Sequence, residues 1–99
     1  MSQLLIVKER LQSVLQKASH DRDERPEIVE APIGRGREPA WAAHEREVMH
    51  EAVTKERAKL GKGPIPLDEV MKVEQLAVGH TDYGEKFALY CAELVLTVD

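Results

Sequence analysis

Aromatic side chains are scarce in this sequence: Trp41, Tyr83, Phe87 and Tyr90 make up 4% of 99 residues. So little ring bulk rules out a large aromatic core and leaves packing to aliphatic side chains. A single cysteine, Cys91, excludes an internal disulfide and suits a reducing compartment. No stretch approaches the ~20 apolar residues that span a bilayer, and Ser2 to Glu9 is too short and too soon charged for a secretory signal. Positive charge is not in excess either: 14 Lys and Arg against 18 Asp and Glu give a net charge of −4. That balance disfavours generic attraction to nucleic acid or anionic membranes. The expectation is a soluble, cytoplasmic protein with a thin core, since a chain of this length buries about 60–65% of its unfolded surface.

What the sequence does contain is helical periodicity. From Gln3 to Ser19, Leu4, Val7, Leu11, Val14 and Ala18 recur in steps of three and four, with Leu15 widening the stripe. A second helix spans 39–60. Pro39 suits its first position, where the missing N–H costs nothing, and Trp41, Val48, Met49, Ala52, Val53 and Leu60 supply an apolar face. Glu45, Arg46, Glu47, Glu51, Lys55, Glu56, Arg57 and Lys59 fall to the opposite, solvated face on this reading. Gly61, Gly63 and Pro64 stop the helix. A third helix, 67–78, opens with Asp68 and Glu69 where the dipole favours acids. Its core face is Leu67, Val70, Met71, Val73, Leu76 and Ala77, and Gly79 ends it.

The last helix, 82–97, pairs Asp82 as N-cap with Glu85 three residues on. From Phe87 to Val98 ten of twelve positions are apolar, so this helix should be buried nearly all round. A short strand from Leu94 to Val98 is the competing reading of its β-branched end. Between the first two helices, residues 20–38 carry Pro26, Pro32, Gly34, Gly36 and a scatter of charge. They read as an extended linker or arm, long for a compact domain, with Ile28, Val29 and Ile33 as apolar anchors. The fold class expected is therefore all-α: one domain over 1–99, a small bundle of about four helices (3–19, 39–60, 67–78, 82–97) with its C-terminal helix buried.

Few side chains form a pattern with chemistry in it. Glu47 and His50 have the Glu-x-x-His spacing of di-iron bundles, and His44 lies one turn earlier. A second such pair is missing, so a metal site here would need a symmetric partner chain. A solvated helix face accounts for the same residues. Gly34-Arg35-Gly36-Arg37 lacks the Gly-Lys-Ser/Thr end of a P-loop and the spacing of a dinucleotide fingerprint. Arg35 and Arg37 remain as possible contacts to an acidic surface or a phosphate backbone. Cys91, among apolar neighbours, reads as an inert packing residue. No catalytic residue and no cofactor are expected.

The run Gly79-His80-Thr81-Asp82-Tyr83-Gly84-Glu85-Lys86-Phe87-Ala88-Leu89-Tyr90-Cys91-Ala92-Glu93, with Trp41 to Met49, resembles small proteins of bacteria and their phages or mobile elements. That group brings no assigned activity, so the resemblance implies an accessory role and no site residue. The functional expectation is a non-enzymatic interaction protein that self-associates through apolar helix faces. The expected form is a homodimer, or a complex with another protein partner, with Trp41, Phe87, Leu89, Tyr90, Leu94 and Leu96 at the interface. Two other readings stand beside it: a metal-dependent helical-bundle enzyme with Glu47 and His50 completed by oligomerisation, and a nucleic-acid-associated regulator using Arg35 and Arg37.

Overall fold

Ser2 starts the first helix by its side chain: its Oγ accepts the Leu5 N–H at 3.2 Å while its own backbone stays extended. This satisfies one of the donors that a helix leaves open at its start. The computed structural model describes residues 2–20, 27–31, 34 and 36–97. Within them lie helix α1 (Gln3–Ser19), strands β1 (Ile28–Glu30) and β2 (Arg37–Pro39), and helices α2 (Ala40–Lys59), α3 (Leu67–Val78) and α4 (Tyr83–Thr97). The all-α expectation holds, with helix boundaries within one or two residues of those read from periodicity. Leu94 to Thr97 are helical, so the strand reading of that end does not apply.

The segment 20–38 differs from a plain linker. β1 and β2 pair antiparallel, with Ile28 opposite Pro39, Val29 opposite Glu38 and Glu30 opposite Arg37. The Ala40 N–H donates to Glu27 O at 2.7 Å and the Ala31 N–H to Gly36 O at 2.6 Å, closing the hairpin at both ends. Gly36 holds φ at +88°, a backbone region that side-chain-bearing residues disfavour. Pro39 is consequently the last residue of β2 and the cap of α2 rather than its first helical residue. Ile33 and Arg35 lie outside the described residues.

Chain reversal after α2 uses a glycine. The Gly61 N–H donates to Ala58 O and the Lys62 N–H to Arg57 O, with Gly61 at φ +74°. That is a Schellman motif, and a non-glycine residue at its left-handed position would be strained. The turn also places cations at the end of α4, which has no basic residue in its own last turn. Arg57 donates to Leu94 O at 2.8 Å and Lys62 to Leu96 O at 2.7 Å. Both carbonyls belong to the negative end of that helix, where positive charge is favoured.

The core forms around α4, which packs against α1, α2 and α3. Phe87, Ala88, Cys91, Ala92, Leu94 and Val95 are buried, and Leu89, Tyr90 and Leu96 are half-buried. α1 contributes Val7, Leu11 and Leu15, α2 contributes Met49 and Val53, and α3 contributes Val70 and Ala77. Three helices and their connections thus cover most of the apolar helix within one chain.

Two faces are placed differently from the sequence reading. On α2 the buried residues include Glu45, Arg46, Glu56 and Arg57 alongside Met49 and Val53, while Leu60 is exposed. Positions 46, 49, 53 and 57 recur at helical spacing, so burying the Met49 and Val53 stripe brings the charged residues inward with it. On α3, Glu74 is buried and Leu76 is exposed, because Val70, Ala77 and Glu74 share the inward stripe. Among the described residues no buried side-chain nitrogen or oxygen lacks a hydrogen-bond partner.

Candidate functional site: a cleft over a buried ion network

Arg46 is the centre of the arrangement. Its Nε donates to Glu74 Oε1 at 2.9 Å, and its two terminal nitrogens donate to Glu38 Oε1 and Oε2 at 2.7 and 2.5 Å. Glu38 therefore grips the planar guanidinium with both oxygens, the strongest geometry available to this pair. Glu38 belongs to β2, Arg46 to α2 and Glu74 to α3, so one side chain ties the hairpin to two helices. Arg46 is 4% exposed. The hydrogen bond to Glu38, opposed by burial and reinforced by Glu74, raises its pKa and keeps it charged. Arg46 is thus shared between two carboxylates, one from the hairpin and one from α3.

A cleft of about 330 Å³ opens on this network, lined by Glu38, Arg46 and Glu74 together with Trp41, Val78 and Tyr83. The aromatic residues come from the starts of α2 and α4, and Val78 from the end of α3. Tyr83 packs on Phe87, with ring centroids 5.6 Å apart, which links the cleft to the core. At this end of α3, Leu76 and Val78 are 63% and 59% exposed, the largest exposures of any bulky apolar side chain described. The cleft is thus an apolar and aromatic depression with the Glu38–Arg46–Glu74 network at its base.

The residues proposed from sequence are scattered over the fold. Phe87 and Leu94 belong to the chain's own core, whereas Leu89, Tyr90 and Leu96 are half-buried on α4 and Trp41 is half-buried in the cleft. Glu47 is exposed and His44 half-buried. His50 places Nε2 2.7 Å from Ile65 O. A carbonyl only accepts, so this nitrogen carries the proton and presents no lone pair to a metal. Among the described residues no three His, Cys, Asp or Glu side chains gather as a metal site. Arg37 is exposed on β2.

Burial pushes the Cys91 thiol pKa well up, and the nearby Glu74 carboxylate adds to the shift. The group is a protonated packing residue in the core and not a nucleophile. Elsewhere, Glu56 bridges Arg10 at 3.0 Å and Lys59 at 2.9 Å. Burial opposes its charge, but the bonds from Lys59 and Arg10 outweigh that and hold its carboxyl below the ordinary range.

Periodicity read for apolar residues alone missed Glu38, Arg46 and Glu74. The available signal was phase: Arg46 lies three and seven residues before Met49 and Val53, and Glu74 lies between Val70 and Ala77. Comparison of the chain with protein-family models, with curated proteins and with solved structures gives no match. Among the described residues no helix is long and apolar enough to cross a membrane.

Proposed function

We propose that this chain is a non-enzymatic interaction protein that docks a protein partner, in the simplest case a second copy of itself, at the cleft between α2, α3 and α4. The observation that carries the reading is the pair Leu76 and Val78, left 63% and 59% exposed beside the aromatic cleft. Apolar surface of that kind, gathered around a depression, is characteristic of contact sites. The chemistry of the cleft supports the same reading. Arg46 in its lining donates to both Glu38 and Glu74, and the one cysteine is sealed in the core. A reducing, cytoplasmic setting suits that cysteine.

Self-association is favoured as the simplest case because most soluble oligomers are symmetric copies of one chain. The test is light scattering from micromolar to millimolar concentration, comparing the native chain with Leu76→Glu/Val78→Glu, and co-purification of the same two proteins from cells. Both substitutions lie at exposed positions, so the fold should persist, which circular dichroism checks. Association, with itself or with a co-purifying protein, should be lost in the double variant. A native chain that stays monomeric and retains no protein in a Leu76- and Val78-dependent way would overturn the reading.

A further inference from the structure

Away from the cleft, α1 and α2 leave a groove along the seam between them. The helices run antiparallel, since Arg10 pairs with Glu56 while Ile6 lies beside Leu60 and Val14 beside Val48. A depression of about 290 Å³ has half-buried Val14, Val48 and Ala52 in its lining. It adjoins a second of about 220 Å³ at Ile6 and Leu60, with Arg10, Glu56 and Lys59 common to both. Past Val14 and Val48 it continues to Lys17. From Ile6 to Lys17 the groove follows about three turns of α1, a length of about 17 Å.

Its floor is aliphatic and its rims are positive. The lining holds Arg10, Lys17, Lys55 and Lys59 against two acids, Glu51 and Glu56, while Glu9 and Glu47, exposed on the same helices, do not line it. Glu56 is sunk between its partners: its side chain is 11% exposed, against 55% for Arg10 and 61% for Lys59. Lys17 is exposed and makes no ion pair or hydrogen bond among the described residues. A chain of net charge −4 thus carries one groove on which cations outnumber acids.

We propose that this groove receives one helix of another protein, an amphipathic helix whose aliphatic stripe is flanked by Asp and Glu. A helix suits the shape, because a third helix packs into the furrow between two others and extends the bundle. An extended strand would find no open backbone partners there, since the N–H and C=O groups of α1 and α2 are used within the helices. Flanking acids suit the rims, where Arg10, Lys17, Lys55 and Lys59 stand on both sides of the floor. A second copy set twofold on the same face would bring the cations of two chains together and leave groove facing groove. This surface shares no lining residue with the cleft between α2, α3 and α4 and goes beyond the docking proposed there.

Fluorescence anisotropy with a labelled synthetic peptide and the full chain tests the proposal. The probe is a helical peptide of about four turns with leucine at i, i+4, i+7 and i+11 and glutamate at the flanking positions. Its counterpart carries lysine in place of glutamate. The native chain should bind the acidic peptide about tenfold more tightly than the basic one, and less tightly as salt rises. Lys17→Glu/Lys55→Glu leaves the Arg10–Glu56–Lys59 bridge intact and removes only the exposed Lys55–Glu51 pair, so the circular dichroism should not change. That variant should lose about tenfold for the acidic peptide and gain for the basic one, because the rim charges are reversed. Amide shifts on peptide binding should gather at Val14, Val48 and Ala52, and Leu76→Glu/Val78→Glu should bind the acidic peptide as the native chain does. No binding, equal binding of the two peptides, or shifts gathered at Leu76 and Val78 would overturn the proposal. It would also fall if a DNA duplex bound in the acidic peptide's place, or if self-association of the native chain were lost in Lys17→Glu/Lys55→Glu, since the occupant would then be nucleic acid or a second copy.

Discussion

Replacing Arg46 by methionine removes the guanidinium that joins Glu38 and Glu74 while keeping an unbranched side chain on α2. The structure allows the cost to be bounded. Three charge-assisted hydrogen bonds of 2.5–2.9 Å are lost, each worth about 1.5–3 kcal/mol. The simple sum overstates the effect, because Glu38 lies nearer the surface and can turn toward water, its side chain being 15% exposed against 7% for Glu74. Breaking one member out of a buried ionic group costs about 3–5 kcal/mol, and that range is expected here. Against the ~5–15 kcal/mol that holds a domain of this size together, the loss is about a fifth or more of total stability. Urea denaturation followed by circular dichroism should show an earlier midpoint at unchanged slope. Amide exchange should rise first in the hairpin, which loses its tie to α2 and α3. The triple change Glu38→Gln, Arg46→Met and Glu74→Gln should recover part of the loss, since no carboxylate is then left buried opposite a missing cation. A loss below about 1 kcal/mol for Arg46→Met alone would refute the view that this network clamps the fold.

Two further outcomes follow from the titrating groups. Glu56, whose folded-state pKa is depressed, contributes stability above its unfolded value of about 4.3, and that contribution should disappear as pH falls through the folded value; Glu56→Gln should therefore shrink the acid-induced loss of stability measured by thermal melts between neutral and low pH. Cys91, protonated and sealed in the core, should resist iodoacetamide in the native protein and react at the rate of global unfolding or rare opening, so labelling at native rates comparable to a free thiol would contradict its placement.

Helix spans were legible in the sequence because they depend on residues close along the chain. The Gly61 stop, the acids in the first turn of α3 and the stripe of α1 each act within a turn or two; of that stripe Val7, Leu11, Leu15 and Ala18 are buried and Leu4 and Val14 half-buried. Burial of α4 was legible for a related reason: a helix apolar on nearly every side has no alternative to being covered. The pairing of Ile28–Glu30 with Arg37–Pro39 carried no comparable signal, since three-residue strands flanked by prolines and glycines show no periodicity to read.

The cleft was the least legible part, and the reason is geometric. Arg46 and Glu74 are 28 residues apart, and neither side chain announces a partner that only folding supplies. Sequence alone determined that this chain forms four helices and must bury the last of them. Tertiary structure decided which stripe of α2 and α3 faces inward, and so made Arg46, Glu38 and Glu74 a buried network and left Leu76 and Val78 outside it. Helix formation is settled by bonds between residues four apart, whereas the choice of buried face is settled by what the other helices bring against it.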